Sequence, residues 1–577
     1  MRQLTQWQET WISSSTTSYR PGHGCEDLWL AEALKVERAL LLGEPLAGIS
    51  LDFAKAFDNL PHDIMLRIAA HMGMDEGILS ALRGMYTGLK RRFKVGSHVG
   101  QSFSSSNGIL QGCPISVLLL NMFVEVWTRA VREEVGGSCE PQAYADDVGA
   151  TAKHKHEIVG VCRVTDIFSK LTGMSVHVKK STVWATDPTL RQQLTRACEI
   201  DGQFLPLVTQ DRRLGAFLSY NRRRVQTRIS RTLEECRRMC QRVELLPLPL
   251  MLRAQVISSL VLPKALYACG VSPPSKRDLR SLRGAVAKAI WGQGNRWRAN
   301  EALFTLVVAG HSHDPVQATY YLTITTMRRF LDRHPEVWPA YAEVLELRQH
   351  EITSTVGGPI RAFLEALRGI SASMSTPGQV RYRAPDNSMK EIPLLNSDLK
   401  TFQHEIRDAG RAEQWLNLAD RRSTFSGIEY GIDRKATAVL RGKTTGLHTH
   451  RLRCLFTGAV ATCHRLYRAG VLDGNACRCC HQPVVGTLGH LIDDCRATQR
   501  LRDRDFSASE WASLPDCLRL HGIAPLADDW LPPRYQGEQN GKAAIVAEVQ
   551  YVLLDILEVH NAALDGSVLP PQPRWRS

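Results

Sequence analysis

The sequence predicts an α+β protein in which an antiparallel sheet carries packed helices and a helical region follows. Three stretches lead there. "EPLAGISLDF" (44–53) is an apolar run of strand length that ends near Asp52. "QAYADDVGAT" (142–151) reads as two short strands hinged at Asp146-Asp147, because adjacent carboxylates disfavour a strand interior but suit a turn. Residues 114–135 lie between them and read as a helix opened by Pro114.

The elements then follow in order. After the first strand a helix is expected, with Pro61 in its first turn. Ile64, Leu66, Ile68, Ala69 and Met72 would form its buried face, and Gly73 its stop. "GGSCEP" makes the turn into the hinged pair, residues 156–173 read as a helix, and "MSVHVKKSTVWAT" (174–186) reads as a strand. Val225, Ile229, Leu233, Cys236, Cys240 and Val243 recur at steps of four and three, the stripe of one long helix. Residues 300–370 read as mainly helical, and 371–388, with four Ser and two Pro, as an exposed linker.

Composition narrows the function. The 577 residues suggest several domains. Lys and Arg total 72 against 58 Asp and Glu, a net charge of +14 that favours a polyanionic partner, although an anionic membrane surface fits composition alone. Between 211 and 242 ten arginines face three acids, so this stretch is a candidate nucleic-acid contact. The longest apolar run, 115–127, is interrupted by Ser116, Asn121 and Glu125 and looks too short to span a bilayer, so no membrane partner is expected. Residues 1–20 lack a signal-peptide core. Most of the 15 cysteines stand singly, which suits a reducing, intracellular compartment.

Two carboxylates in a turn, with a third at a strand end, suit divalent cations. Joining a nucleotide to a strand requires a hydroxyl to attack phosphorus while pyrophosphate leaves. Two Mg²⁺ ions about 3.5–4 Å apart can hold both oxygens. Magnesium takes hard oxygen ligands, so Asp52, Asp146 and Asp147 are the candidate donors.

The order of segments adds specificity. "SLDFAKAFD" (50–58), "GILQGCPISVLLLNMF" (108–123), "AYADDV" (143–148), "GMSVHVKKS" (173–181) and "RRLGAFLSY" (212–220) follow one another. This series resembles motifs A to E of reverse transcriptases, above all those of non-LTR (LINE-type) retrotransposons, over roughly residues 18–290, with a further match at 440–500. The resemblance implies a right-hand polymerase palm that uses Mg²⁺ or Mn²⁺, dNTPs, an RNA template and a DNA primer or target, with residence in the nucleus. It implies metal binding by Asp52, Asp146 and, less directly, Asp147. Phe57 would crowd the sugar 2′ position, Gln111 and Gly112 would lie against nucleotide and template, and Lys180 would protonate pyrophosphate. Lys55 would pack or pair beside the site. "YRPGHGCED" (19–27) resembles the fingers, and Arg222, Arg223, Arg224, Arg228 and Arg231 would lie on a thumb gripping the duplex.

The implied domains are partial fingers (1–45), palm (46–205), motif E and helical thumb (206–300), helical connector (301–440), a basic region with a zinc knuckle (441–505) and a tail (506–577). Val117 stands where the family has proline, and His177 where it has asparagine. The chain opens just before the fingers segment, so the strands that hold the triphosphate, and an N-terminal endonuclease, are expected to be missing. Two readings of activity follow: a reverse transcriptase, or a catalytically weak remnant that binds RNA or DNA. An intron maturase or an RNA-dependent RNA polymerase fits less well, given the knuckle spacing and Phe57.

"CRCCHQPVVGTLGHLIDDC" (477–495) supplies Cys477, Cys480, His490 and Cys495, a soft donor set for one structural Zn²⁺. Cys479 could replace either paired cysteine, and His481 could be drawn in. The resemblance implies that this knuckle helps hold template RNA or target DNA. Arg451, Arg453, Arg465, Arg468, Arg496, Arg500 and Arg502 stand near it in sequence. "LDGSVLPPQPRWRS" (564–577) reads either as a disordered Pro-rich end or as the opening strand of a ribonuclease H domain with Asp565 as its metal-binding aspartate.

Overall fold

The computed structural model describes residues 2–222, 226–292, 297–308, 313–350, 355–440, 443–444 and 446–566. The chain forms two compact units. The first comprises Met1–Arg231, Tyr267–Pro274 and Thr323–Leu364, and the second Thr232–Leu266, Ser275–Leu322 and Glu365–Ser577. The first unit follows the expected α+β order. Helix α1 (Cys25–Leu42) leads into strand β1 (Ala47–Asp52), and an exposed hairpin of β2 (Lys90–Val95) and β3 (His98–Ser104) precedes α2 (Pro114–Val135). Then come β4 (Glu140–Tyr144), β5 (Asp147–Ala152), α3 (Lys155–Thr172), β6 (Thr182–Ala185), β7 (Leu207–Val208), β8 (Gln210–Arg213) and β9 (Ala216–Ser219).

The main sheet has the order β4-β5-β1-β6-β7, with β1 at its centre. It is antiparallel except at one edge, where β7 joins β6 in parallel. Alternation along β1 sorts its side chains. Ile49 and Leu51 belong to the core formed with α2 and α3, in which Phe53, Phe123 and Phe168 meet with ring centroids 4.9–6.2 Å apart. Gly48, Ser50 and Asp52 take the other face. A Cβ at Gly48 would lie 2.2 Å from the cross-strand Trp184 ring, so only glycine fits there.

Several expectations change. Only Thr182–Ala185 of the 174–186 stretch is strand. Val176 makes a single bridge to Phe53, and residues 178–180 form a turn, which moves Lys180 off the sheet. In the helix His62–His71 the buried residues are His62, Met65 and Ala69, whereas Ile64, Leu66 and Ile68 are half-buried. The apolar run at 115–127 belongs to the 22-residue α2, which is long and apolar enough to cross a membrane by length and composition. It is nevertheless 67% buried within the protein.

In the second unit the expected linker is instead a three-stranded antiparallel meander, Ser373–Thr376, Gln379–Arg383 and Met389–Pro393. Val380 and Tyr382 alternate inward along its middle strand and are buried. Of the stretch 564–577 only Leu564, Asp565 and Gly566 are described. Asp565 ends the helix Gly541–Asp565, whose Ile545, Val549, Val552, Leu553 and Ile556 are fully buried, and residues 567–577 lie outside the described residues. The arginine-bearing stretch forms the expected helix, Gln226–Glu244, with Ile229, Leu233, Cys236, Cys240 and Val243 buried.

His521 lies in the core of the second unit. It is stacked 3.8 Å from Phe425 and bonded to Leu455 O at 2.9 Å and Thr424 Oγ1 at 3.1 Å. Burial holds its pKa down at about 3, against the bond from Leu455. The folded value lies below the unfolded one, so this contribution is complete above the ordinary imidazole pKa and is lost as pH falls through it. Acidification from pH 7 to pH 5 should cost the second unit about 2 kcal/mol through this residue. Urea unfolding of wild type and His521→Gln at both pH values should show the variant losing that much less.

Candidate active site

The register brings the three acids together. Asp52, the last residue of β1, pairs across the sheet with Asp147, the first residue of β5. Asp146 occupies the turn between β4 and β5, after Ala145 in the left-handed region at φ 53°. The backbone amide of Asp52 donates to Ser181 Oγ at 3.1 Å, and its carbonyl accepts from His177 N at 2.7 Å, so the 174–181 loop fixes the strand end. Lys180 Nζ, carried by that loop, lies 3.5 Å from Asp52 Oδ2.

The adjacent aspartates have different neighbours. The pKa of Asp146 is raised by burial and by the charge of Asp52, with Lys180 pulling the other way. Burial is the larger cause, and the Asp52 charge adds to it as a cation nearby would subtract from it. Asp147 is pushed up to about 6 by burial, which the Arg213 charge offsets and Glu32 and Asp146 reinforce. Asp52 and Asp146 therefore present carboxylate oxygens that could hold a divalent cation, while Asp147 is engaged by protein.

What engages it is Arg213, at the end of β8 and 1% exposed. Arg213 Nη1 donates to Glu32 at 2.6 Å. Its Nε lies 3.2 Å from Asp147 Oδ1, an ion pair too bent for a hydrogen bond. Tyr220 Oη (2.9 Å) and Gln142 Nε2 (2.7 Å) complete the shell of Glu32, and the Tyr220 ring stacks on Trp184 at 4.1 Å. Gly149 makes room, since a Cβ there would stand 2.8 Å from the guanidinium and 2.3 Å from Ile49 O. Sequence reasoning counted Arg213 among exposed arginines and missed this cluster. The glycine two residues after the acidic pair was the available signal.

The other candidates separate. Phe57 is half-buried against the core, and its carbonyl accepts from Ile109 N at 2.7 Å. Gln111 Nε2 donates to Asp58 at 3.2 Å, tying its loop to the segment after β1. Gly112 has φ +85° and open space where a side chain would stand. Lys55 is exposed, in the left-handed region at φ 49°. Arg222 is exposed but donates to Leu40 O at 3.3 Å, and Arg231 is exposed. Arg223 and Arg224, and the side chain of Arg228, lie outside the described residues. The hairpin β2–β3, unremarked in the sequence, exposes Lys90, Arg92 and Lys94 beside Phe93 and Phe103, whose rings stack at 5.2 Å.

In the second unit four donor atoms converge. Cys477, Cys480, His490 and Cys495 place one ligand atom each within 4.8 Å of all the others. Cys477 Sγ and Cys495 Sγ are 3.9 Å apart, and Cys480 Sγ and His490 Nε2 are 3.5 Å apart. These are close to the donor spacings around a tetrahedral ion with bonds of about 2.0–2.3 Å. Cys479 turns away to His560 Nδ1 at 3.6 Å, and His481 is exposed. Of the nearby arginines, Arg451 and Arg502 are buried, and Arg465 Nη1 donates to Gly458 O and Val460 O. Arg496 and Arg500 are exposed and, with Arg478 and His481, line a cavity of about 590 Å³.

Residues 1–220 match the family model of reverse transcriptase (RNA-dependent DNA polymerase). The retrovirus-related Pol polyprotein of the type-1 retrotransposable element R2 from Popillia japonica is 28% identical over 160 residues, 26% of this chain and 26% of its own. The uncharacterized 149 kDa protein of transposon TX1 from Xenopus laevis is 24% identical over 147 residues, 24% of this chain and 11% of its own. The chain thus spans about a quarter of the R2 polyprotein's length. A telomerase structure from Candida albicans, 12% identical and covering 60% of this chain and 52% of its own, aligns with a TM-score of only 0.28, too low to establish a shared fold.

The Arg213 cluster has a measurable weight. Removing one partner of a buried ion pair strands the other charge and costs about 3–5 kcal/mol. Arg213→Met should therefore lower the unfolding free energy from urea titration by that much, and Arg213→Lys by less. A loss below about 1 kcal/mol would show that the guanidinium is not what holds Asp147 and Glu32.

Proposed function

We infer, from a chain whose residues 1–220 are a reverse transcriptase domain related to those of non-LTR retrotransposons, that it extends a DNA primer along an RNA template. The observation that carries this reading is the pairing of Asp52 with Asp147 beside a raised Asp146, with Ser181 and His177 fixing the strand end at Asp52. Hard oxygen donors that repel one another fit Mg²⁺ or Mn²⁺, and Asp52 and Asp146 are the residues that would hold it. When bound, such ions stabilise the attacking and leaving oxygens of the displacement. The chain's residues do the rest. Lys180, 64% exposed and 3.5 Å from Asp52, would give a proton to departing pyrophosphate. Gln111 and Gly112 lie on the loop that nucleotide and template would meet, and Phe57 would set the preference for deoxynucleotides. Asp147 acts through position, with its charge met by Arg213 rather than by an ion.

Nucleic acid would be gripped by the exposed Arg231 and Arg242 of the helix Gln226–Glu244 and by the basic hairpin β2–β3. The Cys477, Cys480, His490 and Cys495 set would hold one structural Zn²⁺, with four protein ligands and no open position. Arg478, Arg496 and Arg500 line a cavity wide enough for backbone phosphates near this knuckle, which supports a share in template or target binding.

Primer extension decides between enzyme and remnant. With an RNA template, a DNA primer, dNTPs and Mg²⁺, wild-type extension should fall at least about 10³-fold in Asp146→Ala, the scale expected when transition-state charge loses its support. Extension that survives in the variant would reject the site, and salt-sensitive binding without extension in the wild type would favour the remnant. The knuckle has its own readout: Cys495→Ser should lower the zinc content by about one ion per chain, measured by mass spectrometry.

A further inference from the structure

A second set of metal-type donors lies in the first unit, away from the aspartates. His23, Asp27 and His334 place one donor atom each within 4.8 Å of the others. The local chain explains how. Gly24 caps helix α1, and the side chain of Asp27 closes the cap by accepting from Gly24 N at 3.0 Å. This pins the carboxylate at the helix entrance, 1% exposed, and leaves His23 just outside the helix. His23 Nδ1 then stands 3.4 Å from Asp27 Oδ2, and His334 Nε2 3.7 Å from the same oxygen.

Neither nitrogen makes a hydrogen bond, and Asp27 Oδ1 has no partner. Three buried polar atoms without hydrogen bonds at one point are unusual, because leaving such a group unpaired costs about 1–3 kcal/mol. A simple His–Asp–His chain would close those distances to hydrogen bonds. The observed spacings are instead near the roughly 3.3–3.5 Å between ligands of a tetrahedral ion bonded at about 2.0–2.1 Å. The far nitrogen of His334, Nδ1, faces Glu336 Oε1 at 3.1 Å. A carboxylate on the outer nitrogen is the usual support of a metal-bound imidazole, fixing its tautomer and orientation. One feature opposes a cation: Arg333 Nη1 lies 3.8 Å from Asp27 Oδ2. Its side chain is 26% exposed, so it can swing towards solvent when the carboxylate is taken.

We propose that His23, Asp27 and His334 form a binding site for a zinc-type divalent metal ion, tying the entrance of α1 to residues 334–336. Two imidazoles and one carboxylate favour zinc over magnesium or calcium, which prefer oxygen ligands alone. Three protein ligands leave a fourth position, and the side chain of His23, 20% exposed, leaves that side open to solvent. The ion acts as a staple: it replaces three separate desolvation costs with bonds and joins segments distant in sequence. This site shares no residue with the Asp52, Asp146 and Asp147 cluster, although His23 and Asp27 lie in the segment that resembles the fingers.

The test uses the full chain. Wild type purified with zinc should carry about two ions, Cys495→Ser about one, His334→Ala about one, and the double variant none. His334→Ala keeping the wild-type content would overturn the proposal. A second measurement covers the case in which His334→Ala does not fold. Cys495→Ser, freed of zinc and titrated with Co²⁺, should develop ligand-field bands without thiolate charge transfer, and His23→Gln in the same background should abolish them. Bands absent from the first protein, or unchanged in the second, would reduce the cluster to an ion-pair network and end the proposal.

Discussion

A single buried guanidinium carries much of the first unit's organisation. Arg213 meets two carboxylates, the fully buried Glu32 and the Asp147 side chain, which is 25% exposed. One positive charge cannot balance two negative ones. Asp147 is raised to about 6, first by burial and then by the charges of Glu32 and Asp146, while Glu32 accepts bonds from Tyr220 and Gln142. Buried ions persist only when such a shell is complete. The consequence for the turn is a division of labour between adjacent acids. Asp147 is anchored to a protein cation, which fixes the start of β5. Asp146, on the turn itself, is raised first by burial and then by repulsion from Asp52, which Lys180 relieves in part. Repulsion of that kind is what an incoming cation converts into affinity.

Local signals explain which parts of this were legible in sequence. Pro114 and the glycines after Val135 mark the ends of α2, and the aspartate pair marks the hairpin tip, because each is a property of a few neighbouring residues. The roles of Arg213 and Lys180 were not legible in the same way. Arg213 sits in a run of arginines, and a charge count cannot tell a solvated guanidinium from one enclosed by residues 32, 142, 147 and 220. The alternation in 174–181 promised a strand, yet these residues make only the Val176–Phe53 bridge before a turn. That turn is what lets Lys180 reach Asp52. In the second unit, the Ser- and Pro-rich composition of 371–388 hid the period-two pattern of "QVRYR", which pairs on both sides and buries Val380 and Tyr382.

The same contrast settles an ambiguity at the knuckle. Three cysteines in four positions offer several ligand pairs, and spacing alone does not choose. The choice comes from the helix Gly541–Asp565, which presents His560 to Cys479 and leaves Cys477 and Cys480 to face His490 and Cys495. A segment that reads as a tail therefore forms part of the core against which the donor set is arranged.

Net charge needs the same correction before it is read as a binding surface. The +14 of the chain includes arginines whose charge is spent internally: Arg213 on Glu32, Arg348 on Glu37, and Arg502 on the Ile492 carbonyl. Arg237 and Arg238 share Glu234 on the helix Gln226–Glu244. Counterion release, the source of salt-dependent affinity for nucleic acid, comes only from cations that meet phosphate. The effective surface is therefore smaller than the composition suggests, and it is localised. Among the described residues, exposed cations cluster on that helix, on the hairpin with Lys90, Arg92 and Lys94, and around the Arg478–Arg496–Arg500 cavity. A basic composition predicted a polyanionic partner; burial and pairing determine which residues can meet it.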